Sequence, residues 1–163
     1  MKRVFTKTHR ENISKSCKGR IGIWKGKKMP KNSLYKNMQT HIRFKVPLDW
    51  LLQFDDIEKL KCLNRAITPR DIRFKVDTKW YKEYVLKFYN DKQFNDIYSR
   101  WLAGGKKDKY LMPTIDHINP KAKNGDNQLS NLQFLTWFEN RAKNDMPIVV
   151  WQKLKENIKD YLI

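Results

Sequence analysis

The sequence predicts an α+β fold that is mainly helical, with one small strand–loop–strand–helix unit embedded in it and an extended basic arm at the N-terminus. Three observations predict it. Apolar residues recur at helical spacing over most of residues 47–102 and 147–162. Two short apolar runs, 111–115 and 132–135, flank a polar loop and precede a helix-start signal. Charge is concentrated at one end: the 163 residues carry 35 Lys+Arg against 17 Asp+Glu, net +18, and residues 1–46 alone hold 14 of those cations with a single acid, Glu11. Two regions are therefore expected, a basic arm at 1–46 and a helical domain at 47–163 that contains the strand–helix unit at 111–145.

The arm has few apolar residues and is not expected to bury a core of its own. Thr8 followed by Glu11 marks the start of a short helix reaching to about Cys17. Glycines then alternate with cations around one aromatic: Lys18, Arg20, Trp24, Lys25, Lys27 and Lys28. An extended segment of this kind suits a nucleic-acid groove, because glycine lets the backbone approach closely while Arg and Lys reach phosphates. The alternative is a basic tail that binds nucleic acid without register.

From Pro47 the pattern becomes amphipathic. Trp50, Leu51, Phe54, Ile57, Leu60 and Leu63 imply one or two helices over 49–65, with Asp55, Asp56 and Glu58 turned to solvent. The adjacent pair Asp55 and Asp56 is read as solvated surface, since neighbouring carboxylates on a helix point apart. Residues 66–77 read as a loop with a short strand at 72–76. Thr78 is the expected cap of an aromatic-striped helix that continues or restarts near Asp91 and ends at Gly104 and Gly105. Tyr81, Tyr84, Phe88, Phe94 and Trp101 on that stripe are read as core, not as a base-stacking surface. A last amphipathic helix after Pro147 is expected to dock on it.

Composition narrows the function. The charge favours an anionic polymer as partner. No apolar stretch approaches the roughly 20 residues of a membrane-spanning helix, and the first residues lack the apolar centre of a signal peptide. Cys17 and Cys62 show no CxxC spacing and are expected as reduced thiols. A cytoplasmic location, in a bacterial or phage-infected cell, is the expectation.

The chemistry is expected at residues 112–145. The first run delivers Asp116 and His117 into the loop, and the second leads into Thr136-Trp137-Phe138-Glu139, the spacing of a capping box. Asn140 lies one turn inside the helix. Cleaving a phosphodiester requires an activated water, stabilisation of the leaving oxygen and neutralisation of the phosphate. His117 is a suitable general base near neutral pH. Asp116 and Asn140 offer hard oxygen ligands, suited to Mg²⁺, with Mn²⁺ able to substitute. Singly, each of these residues is ordinary; their order and spacing carry the signal.

This stretch, MPTIDHINPKAKNGDNQLSNLQFLTWFENRAKND, resembles the HNH nuclease motif, also called ββα-metal or His-Me finger. Asp116-His117 matches the Asp-His of the family's first strand, Asn131-Leu132 its middle Asn-Leu, and Asn140 with Lys143 its last ligand position and following lysine. Many members carry histidine where this chain has Asn140, an H-N-N variant similar to some phage and homing-type members. The cysteine pairs that hold structural zinc in other members are absent, so no structural zinc is expected. The resemblance implies catalytic roles for His117 and Asn131, with Asn131 positioning the histidine loop, and metal ligation by Asp116 and Asn140. Residues 8–27, THRENISKSCKGRIGIWKGK, resemble a nuclease-associated modular DNA-binding motif found beside such domains.

The expectation is thus a metal-dependent endonuclease acting on double-stranded DNA, site-specific in the homing or restriction manner, with a homodimer left open. Lys121, Lys123, Arg141 and Lys143 are the expected phosphate contacts beside the site. The alternatives are a DNA-binding regulator that keeps the fold without cutting, and an RNA-binding protein of ribosomal type, which fits the charge but not the ordered polar set.

Overall fold

A computed structural model describes residues 6–8, 11, 28–42, 46–67 and 77–158. The expected arm residues Lys18, Arg20, Trp24, Lys25 and Lys27, and the expected strand at 72–76, lie outside these; Lys28 lies within them and is exposed. The described chain runs α1 (Lys31–His41), α2 (Leu48–Leu51), α3 (Ile57–Ile67), α4 (Thr78–Tyr89), α5 (Lys92–Ala103), β1 (Pro113–His117), β2 (Leu132–Thr136), α6 (Trp137–Lys143) and α7 (Ile148–Ile158). It is mainly helical, with one two-stranded antiparallel sheet. Among the described residues no helix is long and apolar enough to cross a membrane.

Local capping sets the helix boundaries. The side chain of Asp77 accepts from the Trp80 amide at 2.7 Å, and that of Asp91 from the Phe94 amide at 2.7 Å. The cap of α4 is thus Asp77 and not Thr78, which is the first helical residue; a carboxylate also complements the positive end of the helix dipole. Asp91 makes α5 a restart. Asp56 accepts from the Lys59 amide at 2.9 Å and opens α3, so the helical stretch expected over 49–65 is two helices broken at residues 52–56.

Tyr81, Tyr84, Val85 and Phe88 of α4 and Phe94, Ile97 and Trp101 of α5 are buried, as the stripe predicted. At roughly 1.5–3 kcal/mol for each large apolar side chain fully buried, these rings are a main source of stability. Phe134 of β2 sits at their centre, its ring centroid 5.0 Å from Phe88, 4.7 Å from Phe94 and 6.4 Å from Tyr84.

The boundary expected at Pro47 does not separate the core from what precedes it. Tyr35 and Met38 of α1, with Ile42 and Val46, belong to the same core cluster, and the Tyr35 hydroxyl donates to the Phe54 carbonyl at 2.6 Å. Charge counting placed α1 in the arm because its solvated face is basic; its buried face is too short to dominate composition. The last helix is also bonded to the strand–helix unit. The Ile148 amide donates to the Ile118 carbonyl at 3.0 Å and Lys155 pairs with Glu139 at 3.0 Å, so these bonds of α7 tie it to α6 and the loop after β1.

Candidate active site

The two strands pair from Pro113 opposite Thr136 to His117 opposite Leu132, placing Asp116 opposite Gln133. Side chains alternate across a strand. Leu132 and Phe134 therefore enter the core, while Gln133 meets its cross-strand neighbour: its Nε2 donates to Asp116 Oδ2 at 3.1 Å. The following helix begins at the predicted capping box, in which the Glu139 amide donates to Thr136 Oγ1 at 3.1 Å and the Thr136 amide donates to Glu139 Oε2 at 3.2 Å. Burial of Glu139 works to raise its pKa, but the Lys155 ammonium beside it prevails and holds the carboxyl below the ordinary range.

β1, the start of the loop and α6 enclose a cleft of about 650 Å³, lined by Asp116, His117, Lys121, Trp137, Asn140 and Arg141 among others. The predicted Asp116, His117 and Asn140, which lie up to a loop and a strand apart in sequence, thus share one wall. Each is held by a different device.

His117 Nε2 lies 3.0 Å from Asn127 Oδ1 across the loop. A proton on Nε2 would be donated to that amide oxygen and would leave the ring's lone pair on Nδ1. Asn140 uses both hydrogens of its amide against β1, donating to Thr114 Oγ1 at 3.1 Å and to the Ile115 carbonyl at 3.0 Å. A carbonyl can only accept, so the Ile115 bond fixes which end of the amide faces the strand, and it is Nδ2.

Asp116 is held most tightly. Lys143 Nζ sits 3.0 Å from Asp116 Oδ2, with the lysine side chain fully buried and the aspartate 10 % exposed. The same ammonium donates to the His117 carbonyl at 2.9 Å. Both bonds to the carboxylate, from Lys143 and Gln133, fall on Oδ2, so Oδ1 is the oxygen available to a cation.

Asn131 does not line the cleft. Its Oδ1 accepts from the Asn119 amide at 2.8 Å, while its Nδ2 donates to the carbonyls of Asn119 at 3.0 Å and Asp126 at 2.9 Å. Its own carbonyl accepts from the Ile118 amide at 2.8 Å. The side chain thus imitates a strand edge and closes the loop immediately after His117, the geometry required of a positioning residue. Gly125 completes the closure: a Cβ there would stand 1.8 Å from the Asn119 carbonyl oxygen.

Among the expected phosphate contacts, Lys121 and Arg141 line the cleft and Lys123 is exposed on the adjacent turn Lys121–Lys123. Lys143 is corrected: being fully buried, it cannot meet a phosphate, and it serves as an internal counter-charge instead. Three site residues escaped sequence reasoning. Gln133 was recoverable from antiparallel register. Thr114 lies two residues before Asp116, on the same face of the strand, and was recoverable from that alternation. Asn127 had no signal beyond being a loop asparagine.

Among the described residues no group of three His, Cys, Asp or Glu side chains gathers as a metal site. Two residues of the cleft lining, Asp116 and Asn140, carry hard oxygen donors, a carboxylate and an amide carbonyl. Comparison of the chain with protein-family models, with curated proteins and with solved structures returns no match.

Proposed function

We propose that this protein is a metal-dependent DNA endonuclease of the HNH class in its H-N-N form, hydrolysing phosphodiester bonds with His117 as general base. The observation that carries this reading is the convergence of Asp116, His117 and Asn140 on one cleft, each fixed by its own hydrogen bonds.

The backbone phosphate enters the cleft beside Lys121 and Arg141, whose charges offset its own. His117 Nδ1 takes a proton from water, and the water oxygen attacks phosphorus. The bond from phosphorus to the 3′ oxygen breaks, and that oxygen leaves as a hydroxyl after taking a proton from solvent. Asn127 keeps the imidazole in the tautomer that leaves Nδ1 basic. Asp116 and Asn140 would hold Mg²⁺, or Mn²⁺ in its place, and the ion supplies charge stabilisation at the phosphate and the leaving oxygen. Asn131 holds the loop so that the imidazole stays aimed. The basic arm, including Lys18, Arg20, Trp24, Lys25, Lys27 and Lys28, supplies the remaining affinity for duplex DNA, in the cytoplasm.

One observation favours the non-cleaving regulator as a second reading: the carboxylate of Asp116 in the cleft lining is already paired with a buried lysine. Supercoiled plasmid incubated with Mg²⁺ or with EDTA separates the two. Nicked or linear product with Mg²⁺ alone supports the nuclease, and His117→Ala is expected to abolish it while retaining DNA affinity. A mobility shift without product supports the regulator.

A further inference from the structure

The nuclease cleft continues outward onto a strip of rings and cations, of which the reaction itself uses Arg141 alone. Tyr110 stands in the turn Lys109–Leu111 just before β1, and Trp137 opens α6 at the cleft wall. Their ring centroids are 5.5 Å apart at an interplanar angle of 68°. Lys109 Nζ lies 5.3 Å from the Tyr110 centroid and 5.4 Å from that of Trp137, and the Arg141 guanidinium lies 5.3 Å from Trp137 on the next turn of the helix. The one acid in the turn, Asp108, is occupied in accepting from the Tyr110 amide at 2.8 Å.

Exposure and position set the strip apart from packing. The core tyrosines are at most 7 % exposed, whereas Tyr110 is 50 % exposed. Cations also lie over core rings, as Lys59 does over Tyr89, but here Trp137 and Arg141 line the cleft that would hold the scissile phosphate. Rings beside cations match a nucleotide, with a base to stack and phosphates on either side to pair. In an intact duplex each base is already stacked on both faces and presents none to a protein ring.

Resting on the nuclease reading, we infer that Tyr110 and Trp137, with Lys109 and Arg141, form a platform for an unstacked nucleobase next to the scissile phosphate. The preferred substrate is then DNA carrying an unpaired nucleotide within a duplex. The strip holds that base while the cations bracket its phosphates, and the adjoining phosphodiester lies in the Asp116–His117 cleft.

The test compares a fully paired duplex with the same duplex carrying one unpaired 2-aminopurine, whose fluorescence is quenched on stacking. Binding and fluorescence are read in EDTA, and cleavage in Mg²⁺. The full-length protein is expected to bind the unpaired-nucleotide duplex more tightly, quench it, and cut beside the extra nucleotide. Tyr110→Ala, at a half-exposed position, should reduce the affinity ratio between the two duplexes by about 5-fold or more, the value of one stacked base. Tyr110→Phe, which keeps the ring, should preserve it. Quenching and preferential binding without cleavage would uphold the platform and overturn the nuclease reading. Cleavage of both duplexes at one rate, without quenching, would overturn the platform and leave the nuclease standing. An affinity ratio unchanged in Tyr110→Ala would also overturn the platform.

Discussion

Replacing Lys143 by methionine tests the electrostatic frame of the site. Methionine approximates the length of the lysine stem, so the substitution removes the charge and its hydrogen bonds while leaving little cavity. Two interactions disappear: the 3.0 Å pair with Asp116 and the 2.9 Å bond to the His117 carbonyl. Asp116, only 10 % exposed, is left with the Gln133 amide as its remaining donor within the site. Breaking a buried pair by removing one partner costs about 3–5 kcal/mol, because the other charge stays desolvated. For a chain of this size about 1 kcal/mol shifts the melting temperature by 2–4 °C, so a fall of about 6–20 °C is expected. Thermal and urea unfolding followed by circular dichroism would measure it. Lys92→Met is the control, since its partner Asp96 and the lysine itself are 58 % and 91 % exposed and such pairs contribute at most about 1 kcal/mol. Adding Asp116→Leu to Lys143→Met should recover part of the loss, because a pair replaced by apolar groups leaves no stranded charge. A loss below about 1 kcal/mol in Lys143→Met would refute the reasoning, showing that the carboxylate is solvated and not held by an internal cation.

Three further outcomes are expected. Lys106 and Lys61 bond to Glu58 and hold its carboxyl down to about 2; a depressed folded-state pKa means stability present above the unfolded value and lost as pH falls from there toward 2. Glu58→Gln should therefore flatten the acid limb of the stability curve in that window, by an amount kept small by the 47 % exposure of this side chain, and an unchanged limb would remove these bonds from the account. Gly125→Ala should cost roughly 1–3 kcal/mol, because the new Cβ meets backbone at 1.8 Å and the loop must move; plasmid cleavage should fall with it, and a fully active, equally stable variant would show that the loop closure is not rigid. Deleting residues 1–28 should weaken DNA binding and flatten its dependence on salt, since counterion release scales with the number of phosphate contacts. A retained slope, read by anisotropy across a salt series, would place the binding surface elsewhere.

Much of this arrangement was legible because its signals are local. The capping box at Thr136 and Glu139, the restart at Asp91 and the 3.6-residue aromatic stripe each depend on neighbours within a turn or two. The convergence of Asp116 and Asn140 followed from one strand pairing and one helix turn. Features that depend on packing stayed hidden. Lys143 is a surface residue by type, and only the closing of α6 over β1 excludes water from it. The membership of α1 in the core was masked by its basic outer face, since Tyr35 and Met38 are too few to outweigh the surrounding lysines in a composition count. Asn127 reaches the site through loop geometry alone and leaves no periodic trace, whereas Thr114 shares the face of Asp116 by strand alternation.

Phe134 and Gln133 are adjacent on β2, yet one is locked among Tyr84, Phe88 and Phe94 while the other holds Asp116. The strand therefore has no way to loosen on the cleft side while remaining fixed on the core side. Thermal inactivation of the cleft and melting of the aromatic helices should be one event with one midpoint, and conditional variants of this protein are to be sought in α4 and α5, far from any reacting atom.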